Sequence, residues 1–214
     1  MTAILFVCKA NICRSPVMAF AFASSSAKNV DVAVSSAGTA TSSGLGICEI
    51  GAAVIAAEPE GIAYAERHHS TALNAGQLAR HDLIVVASRE ERAATARLLP
   101  SSRGGLFTLR EAVELGRKPF DAAELKLVQG TLRAESLAAY AFLLDARRGT
   151  LDLQPRRGLF TRAASPMAQL DIPDFHHGRR RAHVQGVKGV LAETSALATQ
   201  VSRGMHQIQQ LSQS

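Results

Sequence analysis

The chain alternates short apolar runs with longer segments in which apolar residues recur at helical spacing. Buried strands are predicted from such runs at 4–8, 30–36, 83–87 and 106–109. Helices are predicted at 14–28, 48–57 and 90–99, and an amphipathic closing helix is predicted from 184 to 201. This alternation is typical of a three-layer α/β/α domain with a central four-stranded parallel sheet, in which ligands bind at the carboxyl ends of the strands.

Several local signals refine this outline. Ser15 and Pro16 suit the N-cap and the first turn of the first helix. Gly186 and Gly189 are expected to weaken the closing helix, and the polar stretch 205–214 is expected to fray.

The stretch from about 117 to 166 has a different texture. Residues 121–147 indicate one or two helices, whereas the prolines and glycine of 149–166 indicate a loop. A chain of 214 residues is the size of one domain. We therefore expect a single domain over 1–214 that carries an insertion at about 117–166.

Membrane and secreted classes are not favoured. No apolar run approaches the roughly 18 residues that cross a bilayer. The first three residues run straight into an apolar strand without a basic leader, which favours a cytoplasmic protein without a signal peptide.

The net charge of +6 lies entirely in the second half of the chain. Residues 1–100 hold 8 basic and 8 acidic residues, and residues 101–214 hold 16 and 10. Aromatic residues make up only 5%, and the densest basic cluster is Arg179-Arg180-Arg181. Nucleic-acid binding is therefore not favoured. A solvated face and a surface for an anionic substrate or acidic partner both stay open.

The cysteines and histidines do not show a metal-binding spacing. Three cysteines are an odd number for a disulfide framework, and Cys8 and Cys13 are too far apart for a Cys-x-x-Cys pair. The histidines at 68–69 and 176–177 are adjacent pairs, whose side chains diverge on a strand or helix. We predict no metal and no cofactor, and we interpret Cys48 as a structural or surface thiol.

The segment 8–16 carries the chemistry. It joins the first strand to the first helix, and five residues separate Cys8 from the pair Arg14-Ser15. Backbone N–H groups of such a loop can surround a phosphate, and the start of the helix adds a positive field that favours a thiolate. The guanidinium of Arg14 can grip two phosphate oxygens, and the Ser15 hydroxyl can donate to the Cys8 sulfur. The remaining predicted loop residues are Lys9, Ala10, Asn11, Ile12 and Cys13.

The run Asn-Ile-Cys-Arg-Ser-Pro at 11–16 resembles the low-molecular-weight protein tyrosine phosphatase family, in a longer bacterial form. Stretches at 34–39, 68–73, 81–86 and 107–111 resemble further segments of that family. The resemblance implies hydrolysis of phosphotyrosine through a cysteinyl-phosphate intermediate, with phosphate or another oxyanion held in the loop and no cofactor. It also implies a phosphotyrosine protein as partner, with a tyrosine kinase among the candidates.

The family carries a general acid on a late loop, and residues 171–178 match that stretch here. The spacing to the closing helix favours Asp174, and Asp171 is the competitor. A carboxylic acid can give its proton to the leaving phenolate and later activate water. Phe175 is the residue predicted to form a wall for the substrate ring.

Some features depart from the family or leave its implications open. Ala10 replaces the family's loop glycine, which would strain the backbone if that position needed a positive φ. Cys13 is interpreted either as a reversible oxidative guard of Cys8 or as a core thiol. Asn11 is expected to hold the loop through hydrogen bonds, and Ser36 either braces Asn11 or is an ordinary strand serine.

Two alternative functions remain. Thiol-dependent arsenate reductases share this fold and loop, but their further cysteines follow the third central strand, and this chain has none after Cys48. A catalytically weak phosphoprotein-binding regulator is the other, motivated by Ala10 and by the altered Asp174-Phe175-His176 sequence.

Overall fold

The protein forms an α/β fold around a parallel sheet of four strands. A computed structural model describes residues 2–26, 31–129, 137–151, 153, 165–176 and 178–212. The strand order is β2-β1-β3-β4, and every pairing is parallel. The strands are β1 (Ala3–Cys8), β2 (Ala33–Gly38), β3 (Leu83–Val86) and β4 (Leu106–Thr108).

Helices cover both faces of the sheet. They are α1 (Arg14–Ser25), α2 (Glu49–Ile55), α3 (Gly61–Arg67), α4 (Ala75–Ala79), α5 (Arg89–Leu98), α6 (Leu109–Leu115), α7 (Ala122–Lys126), α8 (Leu137–Ala146) and α9 (Arg180–Ser212). Short 3₁₀ turns occupy Pro100–Gly105, Arg148–Thr150 and Pro166–Leu170.

Every residue of strand β1 is buried. Because side chains alternate along a strand, these residues contribute to the cores on both faces of the sheet. Ile4, Phe6 and Cys8 belong to the larger core, which also contains apolar residues of α1, α6, α8 and α9. Leu5 and Val7 belong to a smaller core with Leu78 of α4 and neighbours on β3 and β4. A continuous apolar run therefore forms the middle of the sandwich and ends at Cys8.

The sequence predictions for the three-layer fold and for the four strands are confirmed, with ends shifted by one to three residues. The prediction that Ser15 caps α1 is wrong, because the N-cap is Cys13 and Ser15 lies inside the first turn. Helices α3, α4 and α6 were not predicted, since each has only five to seven residues and shows no clear helical period. The predicted start of the second strand at 30 and the predicted end of α1 at 28 lie outside the described residues.

The closing helix is much longer than predicted. It runs from Arg180 to Ser212, and the expected fraying from 205 is wrong because Met205 and Ile208 are buried in the core. It packs on α1, α2, α6 and α8. In the part of the chain that the structure describes, no helix combines the length and the apolar character that crossing a membrane requires.

The predicted insertion contributes α7 and α8, which fit the expectation of one or two helices in 121–147. Buried side chains of α8, including Leu137, Tyr140 and Leu144, belong to the larger core. The predicted loop at 149–166 falls largely on 152 and 154–164, which lie outside the described residues. The single-domain assignment for 1–214 stays a prediction.

The two glycines of α9 have different surroundings and should respond differently to substitution by alanine. A Cβ at Gly189 meets no atom within 4 Å, whereas a Cβ at Gly186 would lie 2.5–2.6 Å from three ring atoms of Phe175. Gly189→Ala should raise the free energy of unfolding by about 0.5–1 kcal/mol through helix propensity. Gly186→Ala should lower it by about 1–3 kcal/mol through overpacking.

Thermal unfolding of the two variants checks this, with shifts of a few degrees per kcal/mol expected for a chain of this size. Each change adds the same methyl group to the same helix, so the difference between them isolates the Phe175 contact. Equal shifts in Tm would contradict the packing of Phe175 on α9.

Candidate active site

Cys8 is the last residue of β1 and lies at the base of the loop that leads into α1. Its side chain is almost completely buried. The sulfur lies 3.1 Å from the Ser15 hydroxyl and accepts a 3.3 Å hydrogen bond from the Asn11 amide. Ser15 in turn accepts from Asn11 Nδ2 at 2.8 Å, and its own hydrogen has two acceptors in reach, the Cys8 sulfur at 3.1 Å and the Ala37 carbonyl at 3.4 Å.

Asn11 is the centre of the loop. Its backbone is left-handed, with φ of 53°, and its side chain is fully buried. The side chain donates to the hydroxyls of Ser15 and Ser36 and accepts from the amide of Thr71 at 2.8 Å. The Asn11 carbonyl accepts a 2.9 Å hydrogen bond from His68 Nε2. Of the two interpretations of Ser36, the structure supports the brace.

Left-handed backbone is found at Asn11 and not at Ala10. Among the non-glycine residues that the structure describes, positive φ occurs at Asn11 and Glu60. The strain considered for Ala10 is therefore absent, because the backbone of Ala10 is not in the left-handed conformation that a side chain disfavours. Asparagine tolerates this conformation better than most residues, so the loop closes at little cost.

The loop carbonyls bond to residues outside the loop. Those of Cys8, Lys9 and Ile12 accept from the amides of Thr39, Ala40 and Cys48, respectively, at 2.6–3.0 Å. In a trans peptide the C=O and the following N–H point in opposite directions, and no described peptide is cis. The amides that follow these carbonyls, and the one that follows Asn11, therefore face the inside of the loop; they belong to Lys9, Ala10, Ile12 and Cys13.

The backbone of the loop passes close to the end of β2. Cys8 pairs with Gly38 in the sheet, and a Cβ at Gly38 would lie 2.8 Å from the Lys9 carbonyl oxygen. No side chain fits in this space. The glycine therefore allows β2 to support the loop through the amides of Thr39 and Ala40.

Arg14 begins α1 and is held by groups from two other segments. Its Nη1 donates to the Ile172 carbonyl at 3.2 Å, and its Nη2 lies 3.5 Å from Glu91 Oε1 and 3.7 Å from Asp174 Oδ2. Glu91 is a buried carboxylate that also accepts from the Ser88 hydroxyl. Two carboxylates and a carbonyl thus orient a buried guanidinium at the mouth of the loop.

The two candidate acids both lie on the segment 171–176 but have different partners. Ile172 anchors it, since its amide donates to the Ala87 carbonyl at the end of β3. Asp174 lies on the Arg14 side with 45% of its side chain exposed, and its Oδ1 accepts from the His176 amide. Asp171 instead forms a two-pronged ion pair with Arg89, at 2.8 Å from Nη2, and accepts the Arg89 amide.

These contacts affect the acidity of Asp171. Partial burial raises the pKa of Asp171, but the hydrogen bonds from Arg89 outweigh it and hold the pKa below its usual value. A carboxyl stabilised as the anion is a poor proton donor near neutral pH. Asp171 is thus held by Arg89, whereas Asp174 lies beside Arg14.

Phe175 packs inward. Its half-buried ring lies on Gly186 of α9 and tilts against the His183 ring, with 6.4 Å between ring centres. It fixes the segment that carries Asp174 onto α9. Its role as a wall for a substrate ring stays a prediction.

A cluster of two cysteines and two histidines lies behind the loop. Cys13 Sγ is 3.1 Å from His183 Nε2, and Cys48 Sγ is 3.7 Å from the same nitrogen. His176 Nδ1 or Nε2 completes a group whose four donor atoms all lie within 4.8 Å of one another. A hydrogen bond with Cys13 and another from the Gly51 amide help to lower the pKa of the Cys48 thiol to about 6, against the effect of burial. The same pairing, with burial, raises the pKa of Cys13.

Sequence comparison fits this geometry. The model of the low molecular weight phosphotyrosine protein phosphatase family matches residues 3–122, which is more than half of the chain. The chain belongs to this family. The resemblance inferred from the loop is thus confirmed, and the protein is a phosphoric monoester hydrolase of the low-molecular-weight phosphatase type. The match ends at 122, so Asp174 and α9 lie beyond it. No curated protein sequence matches the chain.

Solved structures of bacterial phosphatases share the fold. The Geobacillus stearothermophilus arginine phosphatase YwlE is 18% identical over 93% of this chain and 92% of its own, with a TM-score of 0.57. The Erwinia amylovora tyrosine phosphatase AmsI is 19% identical over 93% and 92%, with a TM-score of 0.57. Vibrio vulnificus Wzb, solved with benzylphosphonate, is 20% identical over 92% and 97%, with a TM-score of 0.58.

Sequence reasoning missed two supports of the site. Glu91 orients Arg14 from α5, and His68 holds the Asn11 carbonyl. Because that carbonyl can only accept, His68 Nε2 carries a hydrogen, and burial lowers the pKa of His68 and favours the neutral ring. Glu91 follows Ser88 at the spacing of a helix start, but that pattern alone indicates only capping.

The Asp171 ion pair should be visible in the pH dependence of stability. The pKa of Asp171 is lower in the folded chain than the roughly 3.9 of an unfolded aspartate, so its contribution is fully present above pH ~5. It is lost as the pH falls through the folded value. Asp171→Asn should therefore reduce the free energy of unfolding at pH 7 by about 1 kcal/mol, as expected for a half-exposed pair.

Urea unfolding of both proteins at several pH values measures this. The difference should shrink as the pH falls through the folded pKa of Asp171, because the wild-type carboxyl then also becomes neutral. Asp31→Asn, at an exposed aspartate, serves as control. A difference that persists unchanged in acid would contradict the ion pair as its cause.

Proposed function

We propose that the protein hydrolyses phosphotyrosine in proteins through a cysteinyl-phosphate intermediate, with Cys8 as nucleophile, Arg14 as phosphate ligand and Asp174 as general acid and base. The observation that carries this proposal is the position of Arg14. Arg14 comes directly after the loop that starts at Cys8, and its Nη2 lies 3.7 Å from Oδ2 of Asp174. The side chains proposed as nucleophile, phosphate ligand and acid thus lie at one end of the sheet, which supports the proposal.

The first step needs an anion-binding loop with a sulfur at its base. The inward amides of Lys9, Ala10, Ile12 and Cys13 would bind the phosphate oxygens, and α1 adds the positive end of its dipole. The thiolate of Cys8 attacks phosphorus and forms the P–S bond as the bond to the phenolic oxygen breaks. The Ser15 hydroxyl, 3.1 Å from the sulfur, stabilises the thiolate before attack and as leaving group afterwards.

The second step needs a group that first gives a proton and then takes one. Asp174 protonates the phenolate as it leaves. A water molecule then attacks the phosphorus, gives its proton to Asp174, and displaces the Cys8 thiolate to release inorganic phosphate. Atoms and charges balance over the cycle, which consumes one water molecule and regenerates the enzyme.

The side chains around the loop favour an aryl leaving group. Ile12 and Phe175 are half-buried apolar residues on the loop and on the segment of Asp174. A tyrosine ring gains free energy by lying against apolar surfaces, whereas a phosphoarginine side chain keeps a charged guanidinium that needs acceptors. The proposed partner is therefore a protein that carries phosphotyrosine, and a tyrosine kinase is one candidate for it.

Substitution of the proposed catalytic residues tests the mechanism with p-nitrophenyl phosphate and phenyl phosphate as substrates. Cys8→Ser should lower kcat at least about 10⁴-fold, because it removes the nucleophile. Asp174→Asn should lower kcat about 10²–10³-fold on phenyl phosphate and less on the nitrophenyl ester, whose leaving group needs less protonation.

Asp171→Asn is the matched control, since it makes the same change three residues away and should alter kcat only a few-fold. Equal losses in the two aspartate variants would refute the assignment of Asp174. Turnover that survives in Cys8→Ser would refute the covalent mechanism.

Paired substrates test the leaving group. At equal concentration, a phosphotyrosine peptide should be hydrolysed at least ~10-fold faster than a phosphoarginine peptide of the same sequence, measured as kcat/KM. Ile12→Thr should reduce this ratio by weakening the apolar contact. A wild-type preference for phosphoarginine would overturn the proposed substrate while leaving the thiol mechanism intact.

The two alternatives from the sequence are less well supported. The regulator hypothesis rested partly on strain at Ala10, which is not in the left-handed conformation. The arsenate reductase hypothesis needs a thiol relay from Cys8, but the hydrogen bonds of Cys8 go to Ser15 and Asn11 while Cys48 pairs with Cys13. Oxidation of the protein's thiols that depends on added arsenate would support the arsenate reductase hypothesis instead.

A further inference from the structure

We propose that Cys13, Cys48, His176 and His183 bind one zinc ion beside the phosphate-binding loop. These residues come from four separate segments and contribute two thiols and two imidazoles. Their donor atoms lie within 4.8 Å of one another. The proposal goes beyond the phosphatase reaction, which uses none of these four side chains as nucleophile, phosphate ligand or acid.

The distances fit a tetrahedral zinc centre. With Zn–S of about 2.3 Å and Zn–N of about 2.0 Å, tetrahedral ligands stand roughly 3.3–3.8 Å apart. His183 Nε2 lies 3.1 Å from Cys13 Sγ and 3.7 Å from Cys48 Sγ. His176 is exposed, so its ring can turn to close the remaining distances.

The donor set selects the metal class. Thiolate and imidazole ligands are preferred by zinc and related borderline metals, whereas magnesium and calcium prefer oxygen. Two thiolates also balance the double charge of the ion. Binding forms two Zn–S and two Zn–N bonds and releases the thiol protons to solvent, and no electron is transferred.

The surroundings provide both support and access. His183 and Cys13 are buried, so the chain already bears the cost of placing these polar groups together. Cys48 is held by the amide of Gly51 at the start of α2. The exposed ring of His176 and the half-buried Cys48 leave a path for the ion from solvent.

The site would connect the two halves of the active centre. Cys13 belongs to the phosphate loop, while His176 donates its own amide to the carboxylate of Asp174. An ion bound by both would fix the distance between loop and acid. This consequence for catalysis rests on the proposed function, whereas the metal site itself does not.

Metal binding tests the site directly. The full chain, reduced and stripped with a chelator, should take up about one Zn²⁺ per chain. Co²⁺ in its place should give the intense d–d bands of a tetrahedral ion together with a thiolate charge-transfer band. His176→Ala and Cys48→Ser should each weaken Zn²⁺ binding at least about 100-fold, because loss of a ligand costs at least as much as loss of its supporting hydrogen bonds.

Two control variants locate the ion. Cys8→Ser should keep full Zn²⁺ uptake although it is expected to be inactive, so the result does not depend on the phosphatase mechanism. His206→Ala removes an exposed histidine from the other end of α9 and should also keep it. Because His176 is exposed, His176→Ala should fold normally even if Cys48→Ser does not, and circular dichroism checks both.

Three outcomes would overturn the proposal. One is that the reduced wild type takes up no Zn²⁺, and another is that Cys8→Ser loses it, which would place the ion on the nucleophile. Alternatively, folded His176→Ala and Cys48→Ser could bind Zn²⁺ as tightly as the wild type, which would place the ion elsewhere.

Discussion

The phosphate-binding loop can close only because Asn11 takes a left-handed backbone and is held there from several directions. Hydrogen bonds from its amide, carbonyl and side chain reach Cys8, Ser15, Ser36, His68 and Thr71. Each such bond contributes about 0.5–1.5 kcal/mol, which together outweighs the small cost that a left-handed backbone has for an asparagine. The partners belong to different segments, so the loop has its shape only once β1, β2 and the residues after α3 are assembled.

The need to hold the loop in this shape explains how the surrounding segments are arranged. The carbonyls of the loop are satisfied from outside, which directs the amides inward, and Gly38 lets β2 approach closely enough to supply two of those bonds. On the opposite side, Glu91 and the Ile172 carbonyl orient Arg14, and Ile172 ties the segment of Asp174 to the end of β3. Electrostatics at the site is therefore organised by backbone geometry first and by charged side chains second.

Local patterns predicted the sheet and the loop but not the long-range contacts. The apolar run before Cys8 and the spacing to Arg14 are features of adjacent residues, so a single sequence reveals them. Cys13 and His183 are 170 residues apart, and no periodicity connects them. Ser15 was assigned as a cap because its type suits one, while its hydroxyl is used by the sulfur of Cys8. The end of α9 was underestimated because its polar composition concealed Met205 and Ile208, which lie one turn apart on the buried face.

The packing of α9 on α1 has a consequence for how the protein is made. These helices lie near opposite ends of the chain and cover the same side of the sheet, so many stabilising contacts join residues far apart in sequence. Such a topology folds slowly, and during synthesis on the ribosome the larger core stays open until α9 has emerged. Until then Cys13 lacks its contact with His183 of α9. The nascent chain therefore passes through a period in which the Cys13 thiol is more exposed to oxidants than in the folded protein.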